Sequence, residues 1–274
     1  NLPGLDELIV FPRQRLKTLP RSGQLREIQK LWRHLRLRKF QVVVDVQSNT
    51  KSGMVSWMTR APLRIGHGPR EAKELSTWFN TVKVNHPPDM QRVILRNLHL
   101  LTALDIHRQE PEFPLPADPF ARANMHRWLV QHQFIPGQYA LLVPFWGRAE
   151  KEWDPANFRA LAGELAERNI PAVFLNTPGQ EEQTKGMLPS NHEPLIQLGP
   201  QTSLLEMVEL VRMAKVCFGG DTGPLQIAGG LGTTSIVLFG PTDPQRLAPW
   251  GDPVILDLST TPEQALHPIE QKMA

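Results

Sequence analysis

The chain has one cysteine in 274 residues, so no disulfide can form within it. Cys217 stands in the apolar run Ala214-Lys215-Val216-Cys217-Phe218, which assigns it to a buried strand rather than to nucleophilic chemistry and suits a reducing cytoplasm. Long hydrophobic runs are also missing. No stretch approaches the ~20 apolar residues that cross a bilayer, and Asn1-Leu2-Pro3-Gly4 lacks a basic-then-apolar signal pattern. The expectation is a protein neither secreted by its own signal nor membrane-spanning. No methionine opens the chain, and its first residues read as a turn before a strand, so the natural N-terminus is expected upstream. The histidines (His67, His86, His99, His107, His126 and His132 among them) show no metal-ligand spacing, and no structural metal is expected. Repeats of solenoid period and low-complexity segments are absent too.

What is present is enough apolar sequence, 41% of the residues, for one or two real cores, and two unequal domains are the default at this length. The formal charge is only +3, but it is uneven. Between residues 13 and 39 lie Arg13, Arg15, Lys17, Arg21, Arg26, Lys30, Arg33, Arg36, Arg38 and Lys39, opposed by Glu27 alone. Such a surface either attracts an anionic partner or is a solvated helix face. Neither an aromatic-interleaved RNA motif nor zinc spacing accompanies it, so nucleic acid ranks last among the partners.

Short β-branched runs alternate with longer amphipathic stretches, the pattern of parallel strands joined by crossover helices, and the fold class is α/β. Strands are expected at 8–11, 41–46 and 63–66, and helices at 23–37, 51–59 and 91–104. Pro111, Pro114, Pro116 and Pro119 then forbid regular structure, so 109–120 reads as a linker between an N-terminal domain, 1–108, and a C-terminal domain, 121–274. In the latter, helices at 121–133, 155–168, 180–187, 204–213 and 223–230 alternate with strands at 139–144, 172–176, 195–198, 216–219 and 235–239. That is a nearly complete doubly wound sheet, whereas the N-terminal domain has too few units and reads as truncated. Chemistry is then expected in loops at strand ends.

The sharpest motif runs Phe218-Gly219-Gly220-Asp221-Thr222-Gly223-Pro224, where an apolar strand meets a helix across a glycine-rich turn. Amides of Thr222 and Gly223 at the positive helix terminus suit a phosphate, and the Thr222 hydroxyl adds a donor. The competing reading is that Asp221 or Thr222 only caps the helix. A second loop, Phe239-Gly240-Pro241-Thr242-Asp243-Pro244, falls at the same rim and favours a ligand site. Asp45 and Gln47 end a strand and are equally readable as structural hydrogen bonders. Trp57, Trp78, Trp146 and Trp153 read as core or cleft residues.

Asp221-Thr222-Gly223 together with Phe239-Gly240-Pro241-Thr242-Asp243-Pro244 resembles the signature of glycosyltransferase family 9, the lipopolysaccharide heptosyltransferases. Asp45-Val46-Gln47-Ser48-Asn49-Thr50-Lys51-Ser52 resembles that family's Asp-x-Gln-x-x-x-Lys-Ser segment, and Arg64-Ile65-Gly66 followed by Arg70-Glu71 resembles its next loop. The resemblance implies two Rossmann-like domains facing across a cleft. It also implies transfer of a heptose or related sugar, with inversion, from an ADP-sugar to a lipopolysaccharide-core acceptor. Lys151, Asp221, Thr222, Gly223 and Thr242 would line the donor site, with Gln226 where the family usually has histidine. Gln180 stands near the expected ribose-binding acid, with Glu181 or Glu182 as substitutes, and Phe145-Trp146-Gly147 replaces smaller side chains. Arg13, Arg15 and Lys17, in a loop after the first strand, would bind the anionic lipid-linked glycan with Lys51 and Arg70, extended by Arg92 and Arg96. No cofactor or obligatory metal is implied, and the catalytic aspartate is expected upstream of Asn1. The place implied is the cytoplasm, with room for peripheral contact at the inner membrane face. Two other readings stay open: a non-catalytic nucleotide-sugar or glycan-binding relative, and an epimerase of similar architecture, the latter without a placeable acid and base pair.

Overall fold

The computed structural model describes residues 4–72, 74–108, 110–145, 152–190 and 194–274. The chain divides into two compact units, Asn1–Pro111 and Glu112–Ala274.

The first unit carries helices α1 (Arg13–Thr18) and α2 (Arg21–Leu37), strand β1 (Val42–Asp45), helix α3 (Thr50–Met58), strands β2 (Leu63–His67) and β3 (Val82–Val84) and helix α4 (Val93–His99). Its three strands form a parallel sheet in the order β1-β2-β3, with Asp45 opposite Gly66 and His67 opposite Val84. The β-branched run Val42-Val43-Val44 favours an extended backbone. Asn49 then starts α3 through a capping box with Ser52, which satisfies two otherwise orphaned amides.

Three expectations for this unit need correction. Residues 8–11 form no strand. Leu8 and Val10 are 76% and 72% exposed, and no described strand stands beside them to supply the ladder that an extended backbone needs. The helix expected at 91–104 is α4 followed by a 3-10 turn, Leu100–Leu104, which stops at Asp105 in the left-handed region. Trp57 and Trp78 lie on the surface, 57% and 80% exposed, while Trp153 is buried as expected.

The second unit alternates helix and strand throughout: α5 (Pro119–Gln131), β4 (Ala140–Val143), α6 (Pro155–Glu167), β5 (Ala172–Asn176), α7 (Glu181–Lys185), β6 (Ile196–Gln201), α8 (Leu204–Met213), β7 (Val216–Gly220), α9 (Gly223–Leu231), β8 (Thr234–Phe239), α10 (Pro244–Leu247), β9 (Val254–Asp257) and α11 (Pro262–Met273). The six strands are parallel in the order β6-β5-β4-β7-β8-β9. Both faces are covered. Ala140, Leu142 and Phe218 pack with Phe158 and Ile269 on one side, and Leu141, Val143 and Cys217 with Leu129 and Leu210 on the other. Coverage of both faces is why these strands read as unbroken apolar runs instead of alternating ones. Cys217 is fully buried, and burial pushes its thiol far above the usual range, so it stays protonated and inert.

Elements after residue 239 escaped the sequence pattern. Pro268 interrupts the helical reading of α11, yet Thr261 and Gln264 form a capping box and Leu266 and Ile269 bury its inner face. From Glu112 onward the proline-rich stretch belongs to the second unit: Phe113 lies against Gly230 and Trp250, and Arg212 donates to the Leu115 carbonyl at 2.7 Å.

At the centre of the sheet β4 and β7 approach so closely that a Cβ at Gly219 would stand 2.5 Å from the Val143 carbonyl oxygen. Gly219→Ala should therefore force the two central strands apart and cost about 1–3 kcal/mol, measured as a drop in denaturant midpoint. An unchanged midpoint would show that this contact does not hold the sheet centre.

Candidate functional site

In the second sheet, β4, β5 and β6 step outward one way and β7, β8 and β9 the other. Connections therefore diverge between the C-terminal ends of β4 and β7, and such a switch point leaves a crevice above the strand ends. The turn Asp221-Thr222 lies on its β7 side.

Thr222 is the N-cap of α9, extended at φ −139° and ψ 169°, and Pro224 pre-sets the first helical turn. Its side chain makes no capping hydrogen bond. The Thr222 hydroxyl oxygen is buried and has no partner among the described residues. A hydroxyl without a partner therefore stands beside the free amides of a helix N-terminus, an arrangement that suits an anion.

The other expected donor residues have defined places. The Gln226 amide nitrogen donates to the Leu247 carbonyl at 2.7 Å and to the Asp221 carboxylate at 3.3 Å, so both its N–H groups tie α9 to α10 and to the turn. Thr242 is half-buried in the loop between β8 and α10, where Asp243 caps α10 by accepting from the Gln245 amide at 2.9 Å. Gln180 precedes α7 without capping it through its side chain. Glu181 is held by Lys185 at 3.1 Å and by the Gln201 amide at 3.2 Å. The Lys185 hydrogen bond, more than any other contact, keeps the Glu181 carboxyl below its ordinary value. Lys151, with Trp146 and Gly147, lies outside the described residues.

One further rim residue escaped sequence reasoning. Asn176 ends β5, is 5% exposed, and has a side-chain oxygen with no partner among the described residues. A polar residue closing the apolar run Ala172-Val173-Phe174-Leu175 was its only signal.

At the strand ends of the first unit, Asp45 is buried. One of its carboxylate oxygens accepts from the Gln47 and Ser48 amides at 3.2 and 2.9 Å, a structural role, while the other is buried without a partner among the described residues. Lys51 lies in the first turn of α3 and Arg70 follows β2, both exposed. Arg13, Arg15 and Lys17 are exposed on α1 and not in a loop after a strand, because 8–11 lacks a ladder and the chain turns helical directly after Pro12. Arg15 pairs with Glu27 at 3.2 Å. Arg96 faces inward to Glu71 and donates to the Met90 carbonyl at 2.7 Å, so it does not extend the basic surface.

Behind these loops three histidines meet. His67 contacts Asn97 through Nε2 at 3.2 Å and His86 through Nδ1 at 2.6 Å, and the His86 and His99 rings lie 5.3 Å apart. Burial first, and then the neighbouring His67 and His99, push His86 down to about 4. Among the described residues no group of three His, Cys, Asp or Glu side chains is set to hold a metal ion.

These features define a class: a doubly wound α/β unit with a glycine-rich strand-to-helix turn at its switch point. The family model of glycosyltransferase family 9 (heptosyltransferase) matches residues 28–273, and the chain belongs to that family. It is 21% identical over 224 residues to lipopolysaccharide core heptosyltransferase OpsX of Haemophilus influenzae, covering 81% of this chain and 63% of that protein. It is 23% identical to lipopolysaccharide heptosyltransferase 3 of Escherichia coli, covering 81% and 65%. The chain thus spans a little under two thirds of the length of these curated relatives. In fold it is similar to E. coli heptosyltransferase WaaC with ADP, at TM-score 0.76 and 21% identity over 96% of this chain and 82% of that one. A family 9 glycosyltransferase from Veillonella parvula gives TM-score 0.78 at 15% identity, over 93% and 80%. Among the described residues no helix is long and apolar enough to cross a membrane.

The depressed His86 fixes the sign of a pH effect. Its folded value lies below the ordinary 6.5, so folding favours the neutral ring, and the stability this contributes is complete above pH 6.5 and is lost as pH falls toward 4. Denaturant midpoints measured between pH 7 and 4 should fall, and His86→Gln should flatten that slope. An equal slope in both proteins would place the acid sensitivity elsewhere.

Proposed function

We propose that the chain transfers a heptose or related sugar from an ADP-sugar to an anionic, lipid-linked acceptor of the lipopolysaccharide-core type, with inversion at the anomeric carbon. The observation that carries this reading is the Thr222 hydroxyl at the start of α9, without a partner among the described residues, where the donor diphosphate would rest. Negative charge grows on the nucleotide diphosphate as the glycosidic bond breaks. The positive helix end, the Thr222 and Gly223 amides and Lys151 would meet that charge without an obligatory metal. Relatives whose names describe lipopolysaccharide heptosyl transfer, and a similar structure described with ADP, support the same donor and acceptor class.

On the acceptor side, Arg13, Arg15, Lys17, Lys51 and Arg70 would pair with phosphate or carboxylate groups of the glycan. The same cations favour peripheral contact with an anionic membrane face. Nucleic acid is not a proposed partner. None of the described residues is assigned as the base that deprotonates the acceptor hydroxyl.

Isothermal titration with ADP, UDP and GDP tests the donor reading. ADP should bind in preference to the other two. Thr222→Ala should weaken it about fivefold to tenfold, the worth of one hydrogen bond to a charged group, and Lys151→Ala should weaken it as well. Absence of nucleotide binding would overturn the donor site. ADP binding that ignores both substitutions would move the site elsewhere.

A further inference from the structure

We infer that Asn176 reads the ribose of the donor nucleotide, its side-chain carbonyl oxygen accepting a hydrogen bond from a ribose hydroxyl. This inference rests on the donor-site reading above and adds a specificity residue to it. Among the described residues of the second unit, three buried side-chain polar atoms have no partner: the Asn176 and Thr222 oxygens and one carboxylate oxygen of Glu209. Glu209 lies within α8, and its other oxygen pairs with Arg212 at 3.3 Å. Asn176 and Thr222 both follow the strands toward the C-terminal rim, one ending β5 and the other just beyond β7.

Strands β5 and β7 flank β4, so their ends stand two strand spacings apart, about 10 Å. A nucleoside diphosphate bridges that span from ribose to terminal phosphate. With the diphosphate on the Thr222 turn, a nucleoside directed toward the β5 side of the switch point would bring its ribose to Asn176. In doubly wound sheets ligands lie outside the carboxyl ends of the strands at the switch point, where a side-chain acceptor can read a ribose hydroxyl. Among Asn176, Gln180, Glu181 and Glu182 at this corner, Asn176 alone is buried. Glu181 is occupied by Lys185 and Gln201 and Glu182 by Lys185, whereas the Asn176 oxygen has no partner among the described residues. Burying an acceptor without a donor is costly, and a ribose hydroxyl supplies the donor. An amide also brings no negative charge near the diphosphate.

The test is isothermal titration of the wild-type chain, Asn176→Ala and Asn176→Asp with ADP, 2′-deoxy-ADP and 3′-deoxy-ADP, after thermal melts confirm that all three proteins are folded. Wild type should bind ADP roughly tenfold more tightly than one of the two deoxynucleotides. Asn176→Ala should bind ADP as weakly as that deoxynucleotide and lose the discrimination. Asn176→Asp, which keeps an acceptor, should restore it, and a purely structural asparagine would not give that result. Equal wild-type binding of all three ligands, or discrimination that survives in Asn176→Ala, overturns the assignment and leaves the donor site standing. Failure of wild type to bind ADP at all overturns both readings.

Discussion

The Val143 carbonyl oxygen of β4 occupies the space where a side chain on residue 219 of β7 would stand. That approach sets the centre of the six-stranded sheet, and the centre is where the strand order reverses. Everything proposed for donor binding hangs from this pairing. Gly219 and Gly220 let β7 run close to β4 and then turn into α9, and the turn leaves the Thr222 hydroxyl and the first helical amides above the crevice. Packing on both sheet faces, with Phe158 and Ile269 on one side and Leu129 and Leu210 on the other, keeps that rim from drifting.

Around this frame the polar residues divide by what they hold. Gln226 spends its N–H groups on Leu247 and Asp221, Glu181 is occupied by Lys185 and Gln201, and Asp45 closes its own turn through the Gln47 and Ser48 amides. Each is the kind of residue a ligand site employs, and each also serves the fold. Thr222 and Asn176 differ because their side-chain oxygens are buried with no partner among the described residues, whereas Asp45 engages one oxygen and leaves the other without a partner among them. Buried polar groups are almost always paired, so a ligand at this rim would complete the Thr222 and Asn176 oxygens.

The first unit is organised by a smaller parallel sheet whose strand-end residues include Asp45 and His67. Its basic character is a property of surface segments: α1 and α2 carry most of the cations that the sequence concentrates before residue 40. Arg96 shows the limit of counting charge. It lies on α4 in a basic neighbourhood, yet it is spent on Glu71 and the Met90 carbonyl.

Much of the fold was legible in the sequence because its signals are local. Strands β4, β5, β7 and β8 announce themselves as short apolar runs, and glycine and proline mark the turn into α9. The family signature at Asp221-Thr222-Gly223 was legible for the same reason. Residues 8–11 show where this fails: the apolar run is present, but a strand exists only when another strand lies beside it. Sequence alone thus determined the α/β alternation, the buried cysteine strand and the glycine-rich turn into α9. Only the tertiary structure decided which polar groups are spent and which remain. Their partners come from elements far apart in the chain, 21 residues for Gln226 and Leu247 and 25 for Arg96 and Glu71, and no local spacing encodes a hydrogen bond closed by folding.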